Sequence, residues 1–446
     1  MKLFLCKFSK GNYFCYMTST EKIYQIFTDY PTISTDTRKI ADNCIFFALK
    51  GENFNGNKFA STALKQGAVY AIIDEPEYLV SDKTILVDNV LQTLKDLANL
   101  HRRKLGLPIL AITGTNGKTT TKELVSAVLS EKFNVSFTQG NLNNHIGVPL
   151  TLLKMNSDTE FGVIEMGANH PGEIADLCRI AEPNYGIITN IGKAHLEGFG
   201  SFEGVIKTKS ELYQYIKNKN GIIFFNSENQ LLNKLTIDIN YKISYGTNNA
   251  DFIGELLSSP PFVHIKAYFK KGVLYLNTNL TGDYNFENIM AAACIGNYFE
   301  VDPISIQKAL KNYYPQNNRS QLINKNGLKI IMDAYNANPT SMHASIKSFI
   351  SNSSTKSYLI LGDMLELGEY SKPEHTSVLE LLNNYSEITV YTVGKNFLEI
   401  APNFNCKSFQ NVEMLCIFLQ ENPITEGEIL IKGSRGIQLE KVLNCI

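Results

Sequence analysis

The sequence predicts an α/β protein of three domains, with a central doubly wound parallel sheet between two smaller α/β units. Three observations predict it. The chain's 446 residues suit about three domains of ordinary size. From residue 109 onward, short apolar runs alternate with helical patterns, as in parallel strands joined by crossover helices. One of those runs ends in a glycine-bracketed turn that opens directly into a helix, over residues 112–123, ITGTNGKTTTKE.

The elements follow in order. Residues 1–16 read as an extension, or as lying ahead of a true start at Met17, before a helix capped within Thr18 to Thr20. Residues 45–49 and 68–73 read as strands, and Leu91, Leu94, Leu97, Ala98 and His101 share one helical face that closes a first domain, 1–107. The second domain, 108–314, has apolar runs at 109–113, 161–164, 186–189 and 221–225. Strands over about 240–280 precede a helix containing Ala291, Ala292 and Ala293. Residues 315–320 are polar and read as a linker. The third domain, 315–446, repeats the α/β theme in a Rossmann-like way, with runs at 329–332, 358–361, 388–391 and 429–431. Each run is followed by a glycine or acidic loop, where open sheets bind ligands.

Composition excludes several classes. The net charge of −1 offers no field for nucleic acid or an anionic membrane. No apolar run approaches the roughly 20 residues of a membrane span, and the opening Leu3-Phe4-Leu5 is broken too soon by Lys7 and Lys10 to be a signal peptide. The eight cysteines are scattered without a C-x-x-C, which predicts reduced thiols in a cytoplasm rather than disulfides or zinc.

The turn at Gly114-Thr115-Asn116-Gly117, followed by Lys118, Thr119 and Thr120, is built as a phosphate cradle. Backbone N–H groups and the positive end of the helix face phosphate oxygens, Lys118 reaches the outer phosphates, and the Thr119 hydroxyl suits Mg²⁺. The central domain is therefore predicted to be a P-loop ATPase domain. Glu165 closes the apolar run 161–164 and is placed to hold a divalent ion. His195 lies in a polar, glycine-flanked loop after the next strand; on spacing alone it is as readily structural as a ligand. Thr138, Asn141, Asn143 and Asn144 fall in a loop rich in asparagine and glycine, ending Ile146-Gly147-Val148-Pro149, which suits a recognition loop with fixed turns. Lys209 sits in a helical pattern over 202–215, where an ordinary lysine would be solvated.

Only two residues separate Gly114 from Gly117, where the common P-loop has four. That short form resembles the ATP-dependent Mur ligases of bacterial cell-wall synthesis and their relative folylpolyglutamate synthase. The resemblance extends over nearly the whole chain. It is carried by the asparagine loop, by Ser34-Thr35-Asp36-Thr37-Arg38, by Asn285 and Asn288, by Asp333-Ala334-Tyr335-Asn336-Ala337-Asn338-Pro339, by 361–368 with His375, and by Lys432-Gly433-Ser434-Arg435. It implies a ligase that uses ATP and Mg²⁺ to join D-alanyl-D-alanine to UDP-N-acetylmuramoyl-tripeptide through an acyl phosphate, giving the UDP-muramoyl-pentapeptide of peptidoglycan synthesis.

The resemblance also implies roles for individual residues. Lys118, Glu165, His195 and Lys209 would be catalytic. Gly114, Thr115, Asn116, Gly117, Lys118, Thr119, Thr120, Asn285, Asn288, Arg319 and Asp333 would bind ATP. Thr119, Glu165, His195 and a carbamate on Lys209 would ligate metal. Ser34, Asp36, Thr37, Arg38, Thr138, Asn141, Asn143 and Asn144 would bind the nucleotide-peptide, and Asp363, Lys432, Ser434 and Arg435 the dipeptide. A cytoplasmic monomer with small-molecule partners is implied. Asn55-Gly56-Asn57 stands where the family usually has Asp-Gly-His, a departure among the nucleotide-sugar contacts. Two other readings stand beside this one. A folylpolyglutamate synthase-like ligase would not need residues 1–107, and a P-loop protein using ATP only as a switch would not need Glu165, His195 and the C-terminal motifs.

Overall fold

The computed structural model describes every residue except 1, 2, 9, 10, 17, 317, 354 and 355, with residues 3–8 and 11–16 in backbone only. Leu3–Phe8 and Gly11–Tyr16, read as an extension, pair antiparallel as a two-stranded sheet of their own. Met17 lies outside the described residues. The helix Thr20–Asp29 starts behind Ser19, within the expected capping stretch, although the serine side chain makes no capping hydrogen bond.

The chain forms two compact units: 1–111 with 133–167 and 173–185, and 112–132 with 168–172 and 186–446. In the first, Ile33–Ser34, Ile45–Phe47, Tyr70–Ile73 and Thr84–Leu86 lie side by side as a parallel sheet. The outer two strands are too short to leave a periodic signal. The helix Val90–Leu105 opens with the Asn89 side chain accepting from the Gln92 N–H and closes on Gly106 at φ 65°, a left-handed position suited to glycine. Leu94, Leu97, Ala98 and His101 are buried as expected, but Val90 is buried while Leu91 is only half-buried. Emptying a fully buried site such as Leu94 to alanine costs about 2–5 kcal/mol.

The same helix explains why residue 107 is not the edge of a compact unit. Arg102 Nε donates to the Ala181 carbonyl at 2.9 Å and its Nη2 to the Glu182 carbonyl at 3.0 Å, while His101 Nε2 donates to Met155 O at 2.8 Å. Side chains at the end of this helix thus complete backbone acceptors at 155 and 181–182 within the same unit, a link invisible to linker composition.

The central sheet runs Val135–Phe137, Phe161–Glu165, Ile109–Thr113, Tyr185–Ile188, Ile222–Asn226, Lys242–Gly246, Phe252–Ser258, His264–Phe269, Gly272–Asn277. The last four strands, Lys242–Gly246 to Gly272–Asn277, make up the β segment expected near 240–280, and its last two pairings are antiparallel. In the second unit the helix Lys118–Leu129 buries Leu124, Val125, Val128 and Leu129. It lies so close to the helix Asn285–Tyr298 that a Cβ on Gly296 would stand 2.4 Å from Val128 Cγ1. A third sheet runs Gln321–Lys325, Leu328–Asp333, Glu428–Lys432, Ser357–Gly362, Thr389–Val393, Lys407–Phe409, parallel except for its first pair. The last strand in sequence is therefore inserted between the second and third.

One sequence expectation is corrected. Cys416 and Cys445, 29 residues apart, form a disulfide with their Cα atoms 5.3 Å apart. The final turn Leu439–Asn444 buries Val442 in the same cluster as Leu415 of the helix Val412–Glu421, and that packing brings the thiols together where spacing carried no signal. Cys44, Cys178, Cys294 and Cys406 are free thiols, and the side chains of Cys6 and Cys15 lie outside the described residues. Cysteine usage therefore no longer argues for a reducing compartment.

Burial holds the imidazoles of His101, His343 and His375 below their ordinary value of 6.5, so all three fold neutral. The unfolded chain takes up protons near 6.5 that the folded state resists, so their contribution is present above that pH and lost as pH falls through the depressed values. Depressed carboxylates such as Glu182 and Glu399 act only below about 4.5. The thermal midpoint is therefore expected to be flat above about pH 7 and to decline as the pH falls below 6.5; a midpoint that does not fall there would contradict neutral buried histidines.

Candidate functional site

The phosphate loop is built by its neighbours in the second unit. Asn190 O accepts from the Thr115 N–H and Asn190 Oδ1 from the Asn116 N–H, both at 2.9 Å, while Thr189 Oγ1 donates to Asn116 O at 2.6 Å. Gly114, at φ 145°, leaves no room for a side chain, since a Cβ would fall 2.0 Å from Thr189 Oγ1. Gly117, at φ 78°, is the N-cap of the helix, and its missing Cβ is where Asn288 Oδ1 approaches. Asn288 Oδ1 also accepts from Thr121 Oγ1 at 3.0 Å, and Asn288 Nδ2 donates to Asn285 Oδ1 at 2.8 Å. The two asparagines read as ATP contacts thus brace the loop from behind, both buried. Lys118 Nζ donates to the carbonyls of Gly114 and Thr115 at 2.8 and 2.9 Å. Thr119 is buried at the second helical position and Thr120 is half-buried.

In the first unit the asparagine loop closes on Glu165. Thr138 Oγ1 accepts from the Glu165 N–H at 3.0 Å, and Asn143 Nδ2 donates to Glu165 Oε1 at 2.7 Å. Asn144 Oδ1 accepts from the N–H groups of Ile146 and Gly147, starting the helix Gly147–Leu152, and Asn141 stands exposed at the loop tip. Glu165 is only 1 % exposed, and its Oε2 has no hydrogen-bond partner among the described residues. A buried carboxylate with one oxygen unmet costs free energy that a cation would remove. Among the described residues no three His, Cys, Asp or Glu side chains cluster for a metal; the donor set expected here is of another kind, with a threonine hydroxyl and a lysine carbamate.

After the strand Tyr185–Ile188 comes the loop that carries His195. His195 has φ 50°, left-handed for a non-glycine residue, and its Nδ1 meets Glu366 Oε2. Lys209, which pattern alone would leave in solvent, is 2 % exposed in the helix Phe202–Asn218, its Nζ 5.6 Å from the centre of the Phe199 ring. The surface reading is thereby corrected: the helix turns this lysine inward.

The third sheet presents its candidates at the carboxyl ends of its strands. Insertion of Glu428–Lys432 beside Leu328–Asp333 puts Lys432 in register with Asp333, and Lys432 Nζ pairs with Asp333 Oδ2. Asp333 Oδ1 accepts from the Ser320 N–H at 3.3 Å, tying down the linker next to Arg319. Tyr335 gathers two guanidiniums, Arg319 at 3.7 Å and Arg435 at 5.3 Å from its ring centre. Asn338 exchanges amide hydrogen bonds with Asn116, one at 2.7 Å, while its Oδ1 caps the helix Pro339–Asn352.

Two of the three donors expected for a dipeptide carboxylate have internal partners. Lys432 is buried on Asp333, and the Ser434 hydroxyl accepts from the Leu365 N–H at 3.0 Å. Arg435 alone of the three is exposed. Asp363 also has internal partners, accepting from the N–H groups of Asn396 and Phe397 at 2.9 and 3.0 Å at the start of the helix Lys395–Ile400. His375 is fully buried, its Nε2 accepting from the Met364 N–H at 3.0 Å and its Nδ1 donating to Ser371 O at 2.7 Å. Tyr335, Asn338, Asn190 and Glu366 were in motifs read from sequence without being singled out; their partners lie far away in the chain.

At the amino end, Ser34 Oγ donates to Asp36 O at 3.1 Å, and Asp36 grips the exposed Arg38 through Nε at 2.9 Å and Nη2 at 2.8 Å. That grip holds the Asp36 carboxyl down to about 2. Thr37 opens the short 3₁₀ turn between them. The departure at 55–57 has a structural account. Asn57 is fully buried, donating to Asp74 Oδ1 at 2.9 Å, and a Cβ at Gly56 would lie 2.3 Å from Leu49 O.

A glycine turn braced at a helix start, beside an open parallel sheet, defines a nucleotide-phosphate-binding enzyme fold. Family models match three stretches: one described as Mur ligase family, catalytic domain, over 29–103; Mur ligase middle domain over 112–296; and Mur ligase, glutamate ligase domain over 318–415. The chain belongs to the Mur ligase family. It is 35 % identical to the UDP-N-acetylmuramoyl-tripeptide–D-alanyl-D-alanine ligase of Bacillus subtilis (strain 168), with 92 % of each chain covered. It is 32 % identical to the protein of that name in Escherichia coli (strain K12), with 93 % of each covered. The structure of MurF from Acinetobacter baumannii superposes with a TM-score of 0.85 at 29 % identity, covering 93 % of this chain and 92 % of that one. MurF ligase from Thermotoga maritima in complex with ADP gives 0.82 at 28 %, covering 93 % and 96 %. Folylpolyglutamate synthase of Mycobacterium tuberculosis, 13 % identical with a TM-score of 0.62 and 79 % of this chain covered, shares the fold.

Proposed function

We propose that the protein is the ATP-dependent, ADP-forming ligase that joins D-alanyl-D-alanine to UDP-N-acetylmuramoyl-tripeptide. The observation that carries this reading is the amide pair between Asn116 of the phosphate loop and Asn338 of the D-A-Y-N-A-N-P segment. It brings the motif selective for dipeptide addition onto the phosphate loop. The γ-phosphate passes to the terminal carboxylate of the tripeptide, and the free amine of the dipeptide displaces phosphate from the acyl carbon. Residues 1–107, with Ser34, Asp36, Thr37 and Arg38, hold the uridine nucleotide; 108–314 hold ATP; 315–446 close on ATP and bind the dipeptide.

Lys118 and the amides of 114–120 take the phosphates, with Arg319 and Asp333 on the nucleotide side. The unmet Glu165 Oε2 fits a divalent cation, and Mg²⁺ would neutralise the repulsion between carboxylate and phosphate. Glu165 serves a cation from the first unit, with Asn143 fixing its other oxygen; Thr119, His195 and a Lys209 carbamate serve one from the second. The enzyme works as a monomer in the cytoplasm, where ATP is at hand. The deciding assay is ADP release that requires both the tripeptide nucleotide and the dipeptide. ADP released without the dipeptide, or with glutamate in its place, would overturn the reading in favour of a switch or a folylpolyglutamate synthase-like ligase.

Arg435, exposed and lying against Tyr335, is the donor left to meet the dipeptide carboxylate. Arg435→Ala is expected to raise the Michaelis constant for D-alanyl-D-alanine about tenfold or more, the loss of one charge-assisted contact, and to leave that for ATP within about twofold. Equal shifts in both constants would place Arg435 on the nucleotide instead.

A further inference from the structure

His195 and Glu366 are both non-glycine residues in left-handed backbone, at φ 50° and 63°. Such strain persists only where surrounding contacts hold it. Here the two side chains meet, His195 Nδ1 on Glu366 Oε2, 171 residues apart in sequence. An ionised carboxylate only accepts, so Nδ1 carries a proton, and in the neutral imidazole Nε2 then keeps its lone pair. The ring is held from another side by Phe199, edge-on at 6.3 Å, and Nε2 has no hydrogen bond among the described residues. The contact depends on docking of the C-terminal segments onto the loop before His195. The Lys193 N–H donates to Thr340 Oγ1 at 3.2 Å, and Lys193 Nζ lies 2.6 Å from Glu374.

We propose that Glu366 is a positioning residue for His195. It fixes the Nδ1–H tautomer so that Nε2 faces a divalent cation, and it makes cation binding depend on docking of the C-terminal segment. The neutral imidazole's tautomers differ little in energy, so one fixed acceptor decides between them, and ligating histidines commonly receive such a carboxylate on the far nitrogen. The proposal rests on the metal part of the proposed function, and its first readout does not.

That readout is ¹⁵N NMR of the histidine side chains in the unliganded full chain at pH 8, with His195→Gln assigning the signal. The wild type is expected to show His195 protonated at Nδ1, and Glu366→Ala to move it toward the Nε2–H form. Glu366→Gln, whose amide oxygen still accepts, keeps the wild-type tautomer. In the ligation assay Glu366→Ala is expected to raise the Mg²⁺ concentration for half-maximal rate by roughly 10–100-fold, with turnover at saturating Mg²⁺ within a few-fold of wild type. An unchanged tautomer in Glu366→Ala overturns the proposal. So does an equal loss of turnover at every Mg²⁺ concentration, the signature of a docking contact alone. A wild type that turns over without Mg²⁺ overturns the metal reading instead, a failure the tautomer signal separates from that of the pair.

Discussion

Lys118→Ala is expected to lower ligation by about a thousandfold, or roughly 4 kcal/mol of barrier, with the thermal midpoint almost unmoved. Lys118 opens the helix Lys118–Leu129, and its ammonium lies over the carbonyls of Gly114 and Thr115. The helix is anchored by buried Leu124, Val125, Val128 and Leu129, and the loop by Asn190 and Asn288, none of which needs the lysine. Alanine is the best helix former, so truncation removes charge without loosening the element. The loss falls on transfer of the γ-phosphate, where the ammonium meets charge as it shifts toward the leaving oxygen. Circular dichroism and ADP release measured on the same preparation check it. A folded Lys118→Ala protein with full activity would remove the phosphate-loop reading.

Lys209→Ala is expected to cost about a hundredfold or more in turnover, and acetate to restore part of it. Carbamylation needs the neutral amine to attack CO₂, forming an N–C bond and releasing a proton, and it turns a cation into an anion. Lys209 meets one condition for that chemistry, a place out of bulk water, since it is 2 % exposed. The helix Phe202–Asn218 also carries buried Val205, Leu212, Tyr213 and Ile216 on the same inward face, so the lysine's place is set by the helix. Alanine leaves a space in which a small carboxylate can take the carbamate's position. Rescue by acetate but not by methylammonium would identify the missing group as an anion. Unimpaired Lys209→Ala turnover, or rescue by the amine, would sink the carbamate.

The sequence by itself determined the α/β class, the phosphate loop and the family, because these rest on local signals. A five-residue run with four apolar members, two glycines and a helical period place Ile109–Thr113, Gly114, Gly117 and Lys118 without any distant partner. Glu165 was legible in the same way, at the end of a buried run. Tertiary structure alone decided which of the candidate donors are free. Lys432 and Asp333 are 99 residues apart and meet only because the last strand enters the sheet beside the strand Leu328–Asp333. Asp363 and Ser434 stand in motifs of the sequence, and only the fold shows that they accept from backbone N–H groups, since buried acceptors are satisfied by whatever the packing brings near. The same holds for Lys209, solvated in pattern and buried in fact, and for Cys416 and Cys445, whose pairing follows from the packing of the final turn. Periodicity reports which face of an element is apolar. It does not report which element, many residues away, will cover that face and claim its polar groups.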